Sequence, residues 1–410
     1  MMSARNLLRL VSDREFARAV DFLQKLVRVP SDNPPGHCAP HAAATATLLE
    51  LLGFKVEFHP VPGADVASRS MRSLTNLVVR ERFGSGKGAV IALNAHGDVV
   101  PPGEGWSFDP YGGVEKRGAL YGRGAAVSKA DFATYAFALR ALKTDPAGLD
   151  GTVELHFTYD EETGGDLGPR WLLENKISTP DFAICAGFSY AIVTAHNGCL
   201  HLEVIVRGKQ AHAAMPASGA DALEAANAIL TALYTERKRL AGRKSRTKGI
   251  GSPQLNVGLI AGGINTNVVP DKVTMRLDRR LIPEENGARA EKALIALIKR
   301  AGTRKGITVE CRRILLAEPL KPGRGVAKLV APLKRHAREV LGVDVKATGV
   351  PLYTDARHYA AHGVPTVLYG AGPRSILEAN AHAADEHVQL SDLRAATAVI
   401  AATLRDLLKA

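Results

Sequence analysis

Cysteine is scarce in this sequence. The four cysteines (Cys38, Cys185, Cys199 and Cys311) among 410 residues form no CxxC pair. That excludes a disulfide framework and a zinc knuckle, and makes a reducing cytoplasm the expected setting. Long apolar runs are also missing: nothing approaches the ~18–20 residues needed to cross a bilayer, so no membrane partner is expected. The opening MMSARNLLRLVSDREFARAV has only a short apolar stretch and no small-residue cleavage site, and reads as free of a signal peptide. Aromatic residues make up only 5%. The chain is basic, with 53 Lys and Arg against 41 Asp and Glu and a net charge of +12. Its densest basic run, residues 235–248, has no interleaved aromatics on which bases could stack, so a nucleic-acid partner is not expected. The charge is compatible with a small anionic substrate.

What is present reads as alternating strand and helix. Residues 14–28 space apolar groups three and four apart, as in an amphipathic helix, and 42–52 form a second helix closed by Gly53. The apolar run Ala89–Asn94 suits a strand buried on both faces. A helix at 129–143, a strand at 152–159, a helix near 168–175 and a strand at 181–185 continue the pattern, which predicts an α/β sandwich with a largely parallel sheet. From about 197 to 318 the pattern changes to some four strands and two helices, a compact α+β unit. Alternation returns after 319. The expected architecture is an α/β domain (1–196 and 319–410) interrupted by an inserted α+β domain (197–318).

Several residue groups could carry chemistry. Gly84-Ser-Gly-Lys-Gly88 precedes a strand rather than opening a helix, and so reads as a turn and not a phosphate loop. His96 and Asp98, two apart just past a buried strand, share a face. A carboxylate so placed can fix an imidazole's tautomer while the other ring nitrogen faces a metal, although a structural His–Asp pair fits equally well. Asp160-Glu161-Glu162 ends the next buried strand, where adjacent carboxylates repel unless a cation or proton offsets them. One could ligate a metal while its neighbour acts as general base; an exposed acidic turn is the alternative. His382-Ala-Ala-Asp385-Glu386 follows a glycine-rich loop after a third core strand. All three groups fall at the carboxyl end of an α/β sheet, where ligands bind in such folds.

These stretches resemble the zinc aminoacylase, carboxypeptidase G and succinyl-diaminopimelate desuccinylase family of metallopeptidases. The likeness is carried by Asn94-Ala-His96-Gly-Asp98, Gly122-Arg-Gly-Ala, Asp160-Glu161-Glu162-Thr-Gly-Gly165, Gly208-Lys-Gln-Ala-His212, Gly263-Ile-Asn-Thr-Asn267, Asp278-Arg-Arg280, Thr354-Asp-Ala-Arg357 and His382-Ala-Ala-Asp-Glu386, in order over almost the whole length. The resemblance implies that the inserted domain is a lid and dimerisation domain. It also implies roles for particular residues: His96, Glu162 and His382 as metal ligands, Asp98 as the partner of His96, and Glu161 as general base or acid. His212, supplied across a homodimer or higher homo-oligomer, would stabilise the oxyanion, and Asn267 and Arg280 would bind a substrate carboxylate. For Arg280 a structural salt bridge is the competing role.

Two positions depart from the family pattern. An aspartate that bridges two metals is replaced by Val127, and a Glu or Asp after the strand 181–186 falls on Gly187 or Phe188. Of five customary ligands the chain retains three, so the expected cofactor is one labile divalent ion, Mn, Zn or Co, on a two-histidine, one-carboxylate set. The sequence therefore predicts a metal-dependent hydrolase of a C–N bond (amidohydrolase or deaminase type) in a small, carboxylate-bearing substrate, aromatic amino acids being among the candidates. An ordinary N-acyl amino acid deacylase or dipeptidase is the first alternative, and a non-catalytic small-molecule-binding relative the second. Cys185 and Cys199 read as small buried apolar residues rather than substitute ligands.

Overall fold

The computed structural model describes residues 8, 10–374 and 377–409; residues 1–7 and 9, part of the stretch read for a leader, lie outside it. The described chain falls into two compact units, residues 8–194 with 322–348 and 354–409, and residues 195–321 with 349–353. The stretch expected to return wholly to the first domain after 319 thus contributes Gly349–Tyr353 to the second. No helix among the described residues is long and apolar enough to cross a membrane.

The first unit is built on an eight-stranded sheet. Its strands are β1 (Val56–Pro60), β2 (Thr75–Phe83), β3 (Val90–His96), β6 (Gly151–Thr158), β7 (Phe182–Cys185), β8 (Ala191–His196), β13 (Lys346–Val350) and β14 (Thr366–Leu368), in the order β1-β2-β6-β3-β7-β14-β8-β13. The expected parallel character is confined to its middle: β6, β3, β7 and β14 run parallel, whereas β1 and β2, β2 and β6, and β14 and β8 pair antiparallel. The central strands are mainly apolar because both faces are covered, with Glu154 and His156 on β6 as buried exceptions. Helices α1 (Asp13–Val27), α2 (Ala39–Leu51), α4 (Lys129–Thr144), α8 (Ala327–Leu341) and α10 (Leu390–Leu407) supply that cover, and their Leu, Val, Phe and Ala side chains join those of the strands in one core. Shorter pieces complete the unit: α3 (Gly63–Ser68), α5 (Pro169–Glu174), α9 (Ala356–Ala361), and a small sheet of β4 (Val114–Lys116), β5 (Ala119–Tyr121) and β15 (His387–Gln389).

The second unit is an antiparallel sheet of β9 (Gly198–Arg207), β10 (Gln254–Gly262), β11 (Lys272–Leu281) and β12 (Thr308–Ala317), ordered β10-β11-β9-β12, with helices α6 (Ala222–Ala241) and α7 (Gly287–Gly302). Alternation along β9 sends Leu200, Leu202, Val204 and Val206 into the core shared with both helices. Cys199, His201 and Glu203 therefore lie on the sheet's other face.

Candidate metal centre

Strand order explains why residues 60 apart in sequence converge. His96 is the last residue of β3 and pairs in parallel register with Thr158, the last of β6, so the chain beyond each strand emerges at the same edge. Beyond β6 the backbone makes a single 3-10 turn over Glu161–Thr163, which Gly164 ends at a φ of 113° that suits glycine. Asp98 ties the two strand ends together. Its fully buried carboxylate accepts from the Glu161 N–H (3.2 Å), the Glu162 N–H (3.2 Å) and the Asn33 side-chain amide (2.9 Å). The His96 Nδ1 lies 2.9 Å from the Asp98 carbonyl oxygen and 3.3 Å from Oδ1, which occupies that nitrogen and leaves Nε2 for a ligand. Ser128 fixes the His96 backbone from the other side, its hydroxyl accepting from the His96 N–H and donating to the His96 carbonyl.

His96, Glu161 and Glu162 each present a ligand atom within 4.8 Å of the others. His382, from the loop after β14, brings Nε2 to 3.3 Å from Glu162 Oε1. The four residues ascribed to the centre on sequence grounds are therefore together. Burial acts against a charged His96, but the Asp98 hydrogen bond and the charges of Glu161, Asp98 and Glu162 outweigh it and hold the imidazole well above its ordinary range. The neighbouring Glu162 carboxylate likewise raises His382. Glu161 is pushed up to about 8, chiefly by burial and then by the neighbouring carboxylates Glu162 and Asp98, against the pull of His96 and Arg357. Asp160 and Asp355, both buried, are raised chiefly by burial, and then by the charge of Asp355 in the first case and of Glu161 in the second. The residues present fit a divalent cation. Glu162 Oε1 is buried without a hydrogen-bond donor aligned on it, and the surrounding carboxylates outnumber the cationic groups beside them.

The two departures have distinct surroundings. Val127 offers no donor atom through its side chain, and its N–H, with that of Ala126, is bound by Glu386 Oε1 at 3.1 and 3.0 Å. Glu386 also pairs with Arg123 at 2.6 Å, both side chains being 1% exposed. The Gly122–Val127 loop and the segment after His382 are thus braced by one buried ion pair. Gly187 sits where a Cβ would lie 2.7 Å from the Tyr369 nitrogen and 2.8 Å from the Leu368 carbonyl carbon, so no side chain fits without a backbone shift. Its N–H donates to Asp131 (3.2 Å), which also accepts from Ala371 (2.7 Å). Burial raises the Asp131 carboxyl to about 7. Asn33, Ser128 and Asp131 were not singled out from the sequence. For Asp131 the available signal was a lone acidic residue in the first turn of an otherwise apolar helix.

The remaining candidates lie in the second unit. His212 is exposed and bridges to Val268, while the Ala213 N–H donates to the Asn267 carbonyl at 3.0 Å, so His212 and exposed Asn267 occupy facing segments. Arg280, on β11, makes the salt bridge considered for it, with Nε 3.0 Å from Asp278 Oδ1 and Nη2 3.1 Å from Oδ2. Cys185 is buried at the end of β7, as expected of a small apolar residue. Cys199 is buried too, with its sulfur 3.1 Å from His201 Nε2.

The chain is similar to several known proteins. The chain is 28% identical over 393 residues to a succinyl-diaminopimelate desuccinylase of Wolinella succinogenes, covering 93% of this chain and 97% of that protein. It is 35% identical over 241 residues to an acetylornithine deacetylase of Proteus mirabilis, covering 58% of this chain and 59% of that one. Among solved structures, the dipeptidase Dug1p of Saccharomyces cerevisiae superposes with a TM-score of 0.76 at 16% identity over the full length of both chains. The aminopeptidase PepT of Bacillus cereus gives 0.72 at 22% identity, covering 97% of this chain and 99% of that one. The Bacillus subtilis YXEP protein, described as a dinuclear metal-binding peptidase, gives 0.68 at 18%, covering 97% and 99%. These likenesses establish a shared α/β fold. The model of peptidase family M20/M25/M40 matches residues 92–406, and the chain belongs to that family of metal-dependent hydrolases acting on C–N bonds.

Proposed function

We propose that this hydrolase works with one divalent ion, held by His96, Glu162 and His382, on a small carboxylate-bearing substrate, in the cytoplasm and as a homodimer formed through the second unit. The observation that carries the reading is the asymmetry of the centre. Glu162 Oε1 is buried beside His382 Nε2 and lacks an aligned donor, while the two positions that would complete a dinuclear set hold Val127 and a Gly187 with no room for a side chain. An ion on these ligands would supply Lewis-acid polarisation of the scissile carbonyl.

The protein's own groups then have separate roles. Asp98 fixes the His96 ring through Nδ1 and, by its two backbone hydrogen bonds, sets the directions of Glu161 and Glu162. Glu161, ionised once a bound cation offsets its carboxylate neighbours, would take a proton from the attacking water and return it to the departing nitrogen as the C–N bond breaks. Asn267 and Arg280 would hold the substrate carboxylate, and His212 the developing oxyanion. The test is turnover and ligand affinity in Glu161→Gln with Mn²⁺ loaded. Loss of turnover with affinity kept supports an enzyme. Unchanged affinity with no turnover in the unaltered protein on any amide, N-acyl or aryl amine substrate would instead favour a binding relative. Ready hydrolysis of N-acetyl amino acids with two Mn²⁺ per chain would favour the ordinary deacylase reading.

A further inference from the structure

The helix-free face of the second unit's sheet carries a group of side chains that the candidate metal centre does not use. Cys199 and His201, two apart on β9, stand opposite Arg280 and Asp278 on β11. Cys199 Sγ lies 3.1 Å from His201 Nε2 and 3.7 Å from Asp278 Oδ1, and His201 Nε2 lies 3.5 Å from Asp278 Oδ2. Thiol sulfur and carboxylate oxygen both converge on one ring nitrogen. A neutral or protonated imidazole has a single lone pair or a single hydrogen at that nitrogen, so hydrogen bonding can satisfy only one of the two approaches well. A cation placed between the three atoms satisfies all of them at once.

The dimensions also agree. A tetrahedral ion with bonds of about 2.3 Å to sulfur and 2.0–2.1 Å to nitrogen and oxygen separates its ligands by roughly 3.3–3.6 Å. The closest separations, taken to either Asp278 oxygen, span 3.1–3.7 Å, and one ligand atom from each residue lies within 4.8 Å of the others. Asp278 supplies the carboxylate, held between His201 and Arg280. The Arg280 guanidinium occupies some of its lone pairs, at 3.0–3.2 Å, and a carboxylate offers about four, which leaves room for a further partner.

We infer that Cys199, His201 and Asp278 form a second metal site, selective for a thiolate-accepting ion of the zinc type, with its fourth position open. Three protein ligands and one open position are the pattern of an ion that takes an exogenous ligand rather than of a closed structural site. Arg280 beside it would hold an anionic ligand at that position. Manganese, which prefers oxygen ligands, would be excluded.

A cobalt titration of the reduced, metal-free full-length protein tests this. The candidate catalytic centre contains no sulfur, so thiolate-to-cobalt charge-transfer absorption in the near ultraviolet reports the second site alone. We expect that absorption in the unaltered protein and in His96→Ala, its loss in Cys199→Ser, its retention in Cys311→Ser, and its bleaching by one equivalent of Zn²⁺ per site. His201→Gln, a second variant in case Cys199→Ser fails to fold, should weaken it at least tenfold in cobalt affinity. No such absorption at saturating Co²⁺ in the folded, reduced protein would overturn the assignment, as would absorption that survives in folded Cys199→Ser.

Discussion

At the scale of single residues, the arrangement around His96 separates groups that hold the centre from groups that would react in it. Glu161→Gln keeps the side chain's volume and removes its basicity. The expected result is a fall in turnover of about 10²–10⁴-fold, with Mn²⁺ affinity little changed. Equal loss of both would mean that Glu161 is a ligand. Gly187 makes a different prediction. Its missing Cβ would meet backbone atoms of Tyr369 and Leu368, which belong to a core strand and its exit and cannot swing aside as a side-chain tip could. Gly187→Ala should cost about 1–3 kcal/mol of stability, read as a lowered unfolding midpoint in denaturant. For the same reason Gly187→Glu should not rebuild a dinuclear site, whereas Val127→Asp has no such obstacle and should raise ion affinity alone.

Between residue and molecule stand the elements, and two braces there are exposed to test. Glu386 joins the loop before α4 to the segment after His382 through Arg123 and two backbone N–H groups. Glu386→Ala leaves a buried guanidinium unpaired, so a loss of about 3–5 kcal/mol is expected, with weakened metal binding because both loops flank the centre. Glu154 is the second brace. On β6 it meets Arg80 of β2 at 2.5 Å, His156 at 3.0 Å and the Ser178 hydroxyl. Burial alone would raise its carboxyl, but the His156 hydrogen bond and charge, then Ser178 and Arg80, bring it down to about 2 from an ordinary 4.5. A carboxyl lowered on folding adds stability that is full above pH 4.5 and disappears as the pH falls toward 2. For a shift of this size the contribution is about 3 kcal/mol. Glu154→Gln should therefore flatten the acid limb of the stability profile between those values while changing little between acid and alkaline limits of its own.

The same scale shows what a sequence can disclose. His96, Asp98, Glu161 and Glu162 were legible together because each follows a recognisable buried strand, and strands that alternate with helices deliver their ends to one edge. Asn33, Ser128 and Asp131 were not legible: each is a common polar residue whose importance depends on a partner some 30 to 240 positions away. The mixed direction of the sheet was hidden too. A strand buried on both faces reads as the same apolar run whichever way its neighbours point, as β2 does beside β6. The neighbours of Cys199 were hidden for a related reason, since alternation along β9 gives its face but not the Asp278 that β11 brings near its sulfur.

For the molecule as a whole, the two proposed sites differ in chemistry, so metal stoichiometry should depend on which ion is supplied. The centre at His96, Glu162 and His382 offers nitrogen and oxygen, which Mn²⁺, Co²⁺ and Zn²⁺ all accept. The group at Cys199, His201 and Asp278 offers sulfur, which favours Zn²⁺ and Co²⁺ over Mn²⁺. Elemental analysis after loading should give one Mn²⁺ per chain but two Zn²⁺ or Co²⁺. Cys199→Ser should reduce Zn²⁺ to one without altering Mn²⁺, and His96→Ala should abolish Mn²⁺ while leaving one Zn²⁺. Ions that bind only the folded chain also stabilise it, by about 2.7 kcal/mol for each site at a free concentration one hundred times its Kd. Chelation should therefore lower the Tm further from the zinc form than from the manganese form. Two Mn²⁺ per chain would refute the single-ion reading of the catalytic centre, and a zinc count indifferent to Cys199→Ser would refute the second site. The two proposals therefore fail independently, because each is tied to an ion or a variant to which the other does not respond.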